Sequence, residues 1–186
     1  MFKKRVCSTC IFYQYSMIHL LQLIKKRPIS KTPVKRKQKQ SDLPVVRISH
    51  KVCKEIMLTV GKRPPESGGI LLGPVGTNDI TDFFFDSGGT CTNATYSPDC
   101  KTLKHIMKEQ WLPANLDMKG FVHSHPGSFD CLSAGDLVYI GRLLEINDDM
   151  PFFTTPVVIP SEFRLSPLVV LRDNPKIARE ARFEYF

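Results

Sequence analysis

The stretch that most limits what this chain can fold into reads His123-Ser124-His125-Pro126 and then, after residues 126–132, Ser133-Ala134-Gly135-Asp136. With Phe121–His125 as a strand, His123 and His125 project to one face, because side chains along a strand repeat every two residues. With a helix beginning at Ser133, Ser133 and Asp136 are three apart and also share a face. A Pro126-Gly127 turn joins the two elements, so strand end and helix start are neighbours. Two imidazoles, a hydroxyl and a carboxylate then converge within fourteen positions (123–136).

Two nitrogens and one carboxylate oxygen make the three-protein-ligand set that leaves the fourth tetrahedral position on Zn²⁺ open for water, an arrangement typical of catalysis rather than of structure. The same Ser-x-x-Asp is also a capping box, and helices start that way with no chemistry attached. Upstream, Pro64-Pro65-Glu66-Ser67-Gly68-Gly69-Ile70-Leu71-Leu72-Gly73 sets a carboxylate just before a short apolar strand. Its glycines permit close backbone approach. Alone, Glu66 reads as a solvated surface residue; beside a metal site it gains a task.

Glu66 followed by Gly-Gly-x-Leu-Leu-Gly, and His-x-His-Pro with Ser and Asp at these distances, resemble the JAMM (MPN-plus, JAB) zinc metalloproteases, in particular their compact prokaryotic JAB branch. The resemblance spans about Val45 to Leu171 and departs from the family pattern at no motif position. It implies that His123, His125 and Asp136 bind one zinc per chain. It further implies that Glu66 is the general acid/base and that Ser133 helps hold the tetrahedral intermediate. The implied fold is α/β (α+β), a mixed β-sheet flanked by helices and similar to cytidine deaminases.

The residues agree with that chemistry on physical grounds. Two neutral histidines and one aspartate leave a zinc site formally at +1, so water at the open position is acidified toward pKa ~7. Glu66 can accept the proton and later deliver it to a departing amine, a poor leaving group unless protonated. The expected reaction is hydrolysis of an amide, peptide or isopeptide bond. JAMM relatives cut after the C-terminal tail of ubiquitin or ubiquitin-like proteins. The resemblance therefore implies such a protein or its conjugates as substrate, with activating and conjugating enzymes as partners, and for some compact members a role in bacterial antiviral defence. An extended tail beside a sheet can be held by main-chain hydrogen bonds. A zinc amidohydrolase on a small adduct of a sulfur-carrier-type protein uses the same ligands, and a non-catalytic MPN interaction module is the remaining alternative. The H-x-E and P-C-x-x-C signature of nucleobase deaminases is absent from the sequence.

Charge divides the chain of 186 residues in two. Residues 1–40 hold eleven of the 26 lysines and arginines and no Asp or Glu, leaving 15 basic against 18 acidic residues in 41–186, a net of −3. The overall +8 therefore belongs to the tail, and no specific nucleic-acid binding by the domain is expected. Residues 1–41 read as a basic, disordered extension and 44–186 as the metallopeptidase domain. Ile11–Ile24 is too short to span a bilayer; contact of the tail with a membrane surface or polyanion is its functional alternative. Cys7 and Cys10 form a lone C-x-x-C, while Cys53, Cys91, Cys100 and Cys131 show no regular spacing, as expected of reduced thiols in a cytoplasmic protein. Cys131, between His125 and Asp136, reads as a buried small residue, with a place near the metal as the alternative.

Periodicity places the remaining elements. Pro44–Ile48 reads as a strand, and Val52, Ile56 and Val60 as one face of a helix. Gly69–Leu72 and Ile80–Phe85 read as a hairpin, Gly88–Ser97 as a polar loop, and Asp99–Leu112 as a helix. Lys119–Ser124 delivers the histidines, and Leu137, Ile140, Gly141 and Leu144 form the expected buried stripe of the next helix. Pro156–Ile159, Glu162–Leu165 and Leu168–Leu171 follow as strands.

Overall fold

The computed structural model describes residues 44–63, 66–91 and 96–186; the basic extension, with Cys7, Cys10 and Ile11–Ile24, lies outside the described residues. In chain order come β1 (Val45–Ile48), α1 (His50–Thr59), β2 (Gly68–Pro74), β3 (Asp82–Phe85), β4 (Thr90–Cys91), β5 (Tyr96–Ser97), α2 (Cys100–Ile106) and β6 (Leu116–Ser124). Then follow α3 (Ala134–Ile146), β7 (Phe152–Thr154), β8 (Val157–Ile159), β9 (Arg164–Ser166), β10 (Leu168–Leu171), β11 (Ala178–Glu180) and β12 (Arg182–Tyr185). The architecture is mixed α+β.

An eight-stranded sheet has the order β11-β10-β7-β6-β2-β3, with β8 beside β6 and β9 beside β8. Gly120 pairs with Thr154 and His123 with Val157, one constant offset, so β7 and β8 form a single strand parallel to β6, interrupted at Thr155-Pro156. Thr154 pairs with Val169 and Val157 with Ser166, so β9 and β10 are likewise one antiparallel strand, interrupted at Pro167. Proline has no N–H to give a ladder, which breaks the pairing without moving the register. A parallel partner requires a crossover, and α3 supplies it between β6 and β7. The catalytically suggestive loop therefore lies at the end of β6, where the chain turns into α3.

Side chains alternate between two apolar layers. Ile70, Leu72, Phe121, Phe153 and Val157 meet α2 and α3 through Leu103, Met107, Ile140, Leu143 and Leu144. Leu71, Val122, Val158 and Val169 face Val52 and Ile56 of α1 and Val46 and Ile48 of β1. Full burial of one such side chain contributes roughly 1.5–3 kcal/mol, so this two-sided burial is what holds the sheet. Met118 and Phe121 lie an odd number of residues apart yet share a layer, because the register slips between Leu71 and Leu72 and leaves Lys119 as the extra residue of a bulge. At Gly120 a Cβ would run into the Thr154 carbonyl, so the close approach of β6 and β7 requires glycine there.

Ser49 caps α1 through Val52 N, and Asp99 caps α2 through Thr102 N. Four details differ from the sequence reading. The Gly88–Ser97 stretch contains the β4–β5 pair, Thr90 with Ser97 and Cys91 with Tyr96. Met107–Trp111 continues α2 as a π-helical turn, ended by Asn115 at φ 57°. The buried face of α3 is Tyr139, Ile140, Leu143 and Leu144, with Leu137 and Gly141 only half-buried. The C-terminal β12 pairs in parallel with β1 in a separate ribbon, a contact between the two ends of the domain that local periodicity does not encode. Among the described residues no helix is long and apolar enough to cross a membrane.

Candidate metal centre

His123 is the penultimate residue of β6, and His125 follows it directly with its backbone N–H still donating to the Val158 carbonyl, 3.0 Å. Strand geometry thus extends through His125 and turns both imidazoles to the same face. Ser133 caps α3, and the expected capping box is formed: Asp136 N–H donates to Ser133 Oγ at 3.2 Å, and Ser133 N–H to Asp136 Oδ2 at 2.8 Å. The cap and the site are one arrangement, because the box aims the Asp136 carboxylate back at the histidines. His123, His125 and Asp136 bring one ligand atom each within 4.8 Å of one another.

The distances suit a small cation. His123 Nε2 lies 2.8 Å from His125 Nε2 and 3.8 Å from Asp136 Oδ2. Zinc bonds of about 2.0–2.1 Å in a tetrahedron place neighbouring ligand atoms about 3.3 Å apart, and the two separations bracket that edge. His125 Nδ1 faces the Phe129 carbonyl at 3.2 Å, and a proton on Nδ1 leaves the Nε2 lone pair free toward the cluster. Burial pushes the His123 imidazole well below its ordinary value, with the His125 ring adding to the effect and Asp136 opposing it. His123 is therefore neutral at pH 7, the form that ligates metals. Both histidines are buried, whereas the Asp136 side chain is 26% exposed and Ser133 is exposed, so the accessible side of the cluster is the α3 side. Donor set, spacing and protonation state all fit zinc.

Glu66 is buried as well, 8% exposed. Burial, with the Asp136 charge second, raises its carboxyl from 4.5 to about 7, opposed by a hydrogen bond from the Tyr96 backbone N–H. A carboxyl that titrates near neutrality can both take and give a proton there. Its place is set by a reciprocal contact that the sequence reading missed. Ser124 N–H donates to the Ser67 carbonyl at 2.9 Å, and Ser67 N–H donates to Ser124 Oγ at 3.1 Å. Glu66 is thereby tied beside the strand that carries the histidines. The available signal was the serine between them: on a strand it points to the opposite face and, when buried, needs a partner.

Ser133 Oγ also donates to Asp136 Oδ2, at 2.7 Å. Its hydroxyl orients the carboxylate in this state. Cys131 is exposed, against the expectation of burial, because the 126–131 segment runs over the surface before Leu132 enters the core. That segment is clasped to the β8–β9 turn by Ser161 Oγ donating to the Gly127 carbonyl, 2.8 Å, and by an Arg164–Asp130 ion pair at 3.4 Å. By contrast Cys100 is buried, and burial pushes its thiol to about 12.

No family model and no curated protein matches the chain. Solved structures do. Protein DSY2949 from Desulfitobacterium hafniense superposes with a TM-score of 0.58 at 16% identity, covering 76% of this chain and 92% of that one. A JAB1/MPN domain protein from Archaeoglobus fulgidus gives 0.44 at 17% identity over 75% and 98% of the two chains. A structure described as JAMM, a metalloprotease-like zinc site in the proteasome and signalosome, gives 0.43 at 17% identity over 76% and 99%. At 16% identity the likeness to DSY2949 speaks for the fold and not for the activity. The chain is a mixed α+β protein, and its structural neighbours include a JAB1/MPN domain protein and a JAMM zinc-site structure.

Proposed function

We propose that this chain is a zinc-dependent hydrolase that cleaves peptide or isopeptide bonds at the C-terminus of a ubiquitin-like protein in the cytoplasm, by deconjugation or precursor processing. The supporting observation is the convergence of His123, His125 and Asp136 at the end of β6, with the protonatable Glu66 buried beside them. His123, His125 and Asp136 would hold the metal. Zinc, when bound, supplies a Lewis acid that acidifies water and polarises a carbonyl.

The chain's own groups do the proton work. Glu66, as carboxylate, accepts a proton from the attacking water and returns it to the departing amine. The Ser133 hydroxyl, on turning away from Asp136 Oδ2, donates to the developing oxyanion. Partners on this reading are the ubiquitin-like protein, its conjugates, and the activating and conjugating enzymes that make them. The test is cleavage of ubiquitin-like fusions and conjugates by purified, zinc-loaded protein. Wild type should cut while Glu66→Ala retains zinc and does not. Zinc-loaded wild type that leaves both substrates intact, or a Glu66→Ala variant that cuts as fast, overturns the reading.

A further inference from the structure

Glu66 has several rotatable bonds and follows a proline pair, so its carboxylate needs an external hold if it is to sit within hydrogen-bond reach of a reacting water. One residue braces the start of the strand that follows Glu66. The Tyr96 ring lies against Gly68, two positions further along, where a Cβ would collide with it.

The phenol is anchored in turn. Tyr96 Oη donates to Asp86 Oδ2 at 2.7 Å, and the same oxygen accepts from Asp99 N–H at 2.9 Å. Asp86 is only 4% exposed, and its own N–H donates to the Gly68 carbonyl at 3.1 Å. Contacts therefore run in a closed circuit from Gly68 across to Asp86, through the phenol to Tyr96, and back through the Tyr96 ring to Gly68, two residues from Glu66. Its members belong to β2, the end of β3 and β5, and none is among the three residues of the metal cluster.

We propose that Tyr96 is a positioning residue for Glu66, its ring bracing Gly68 at the start of β2, and that Asp86 acts through the Tyr96 phenol to seat that ring. The proposal rests on the hydrolase reading for its catalytic consequence but not for the contact itself. A displacement of about 1 Å in a proton-transferring group can cost about 10²-fold in rate. Loosening the circuit should therefore act on turnover and leave binding and metal alone.

The test uses Tyr96→Phe, which keeps the ring and removes the hydroxyl, and Asp86→Ala, which removes the acceptor, in the full zinc-loaded chain with a ubiquitin-like fusion as substrate. Each should lower kcat about tenfold or more with KM and zinc content unchanged, and the double variant should be no worse than the poorer single one, since both break the same circuit. Independently of activity, Tyr96→Phe in metal-free protein should shift the Gly68 backbone resonances and weaken hydrogen-exchange protection of the Asp86 amide, which donates to the Gly68 carbonyl. Wild-type kcat in Tyr96→Phe, or an Asp86 amide whose protection that substitution leaves unchanged, overturns the proposal. If wild type itself proves inactive, the hydrolase reading fails and the amide measurement alone decides the contact.

Discussion

Replacing Glu66 by Gln should make the metal-free protein more stable at alkaline pH, although it removes the proposed acid/base. Burial and the Asp136 charge raise the Glu66 carboxyl from 4.5 to about 7. Between those values the folded chain keeps a proton that the unfolded chain has released. Stability from this group is therefore complete below about pH 4.5 and is lost as pH rises through 7. Each tenfold gain in proton affinity is worth about 1.4 kcal/mol, which sets a ceiling of about 3 kcal/mol. Solvent reaching the α3 side of the cluster screens the repulsion, so about 1–2 kcal/mol is the expected loss in wild type. Gln has nearly the same shape and no charge, and its carbonyl can still accept from the Tyr96 amide.

For a chain of this size each kcal/mol moves Tm by about 2–4 °C. Thermal melts with chelator present should place Glu66→Gln about 2–8 °C above wild type at about pH 8, with a gap at least halved at about pH 5, where wild-type Glu66 is largely protonated. Bound zinc should shrink the gain, because its charge offsets the repulsion between Glu66 and Asp136. A variant that melts below wild type at both pH values, or a gap independent of pH, refutes the assignment of Glu66 as a buried carboxyl strained by its neighbour.

Other consequences follow from the same geometry. Ser133→Ala removes the cap of α3 and should cost about 1 kcal/mol in chemical denaturation; if the hydroxyl also serves an oxyanion, kcat should fall about 10²–10³-fold, whereas a loss confined to stability assigns Ser133 to capping alone. His123→Ala or Asp136→Ala should abolish stoichiometric zinc binding measured by metal analysis after gel filtration, while secondary structure by circular dichroism persists. Gly120→Ala should destabilise by about 1–3 kcal/mol or more, since its Cβ would meet the Thr154 carbonyl between two central strands; an unchanged urea midpoint contradicts that packing.

The site was legible where chemistry coincides with local periodicity. His123 and His125 share a face because a strand repeats every two residues, and Ser133 and Asp136 meet because a capping box spans three. What lay hidden depends on distant partners. The Ser67–Ser124 contact joins residues 57 apart, and the Tyr96 ring reaches Gly68 from β5, a stretch that reads as loop because its strands are two residues long. The buried face of α3 was misplaced because Leu137, though apolar, sits in the first turn near the accessible side, whereas Tyr139 packs its ring on Phe121. Pro156 reads as the start of a strand and Pro167 as a turn between two, so only the constant register across them reveals two continuous strands.

X-ray absorption at the zinc edge on the zinc-loaded chain is the most direct test of a shared ion. Three side chains and one solvent position predict about four nitrogen or oxygen neighbours at about 2.0–2.1 Å, with imidazole scattering that halves in His125→Ala. A sulfur neighbour at about 2.3 Å, or a shell unchanged by that substitution, would mean that zinc binds elsewhere and that His123, His125 and Asp136 do not hold it.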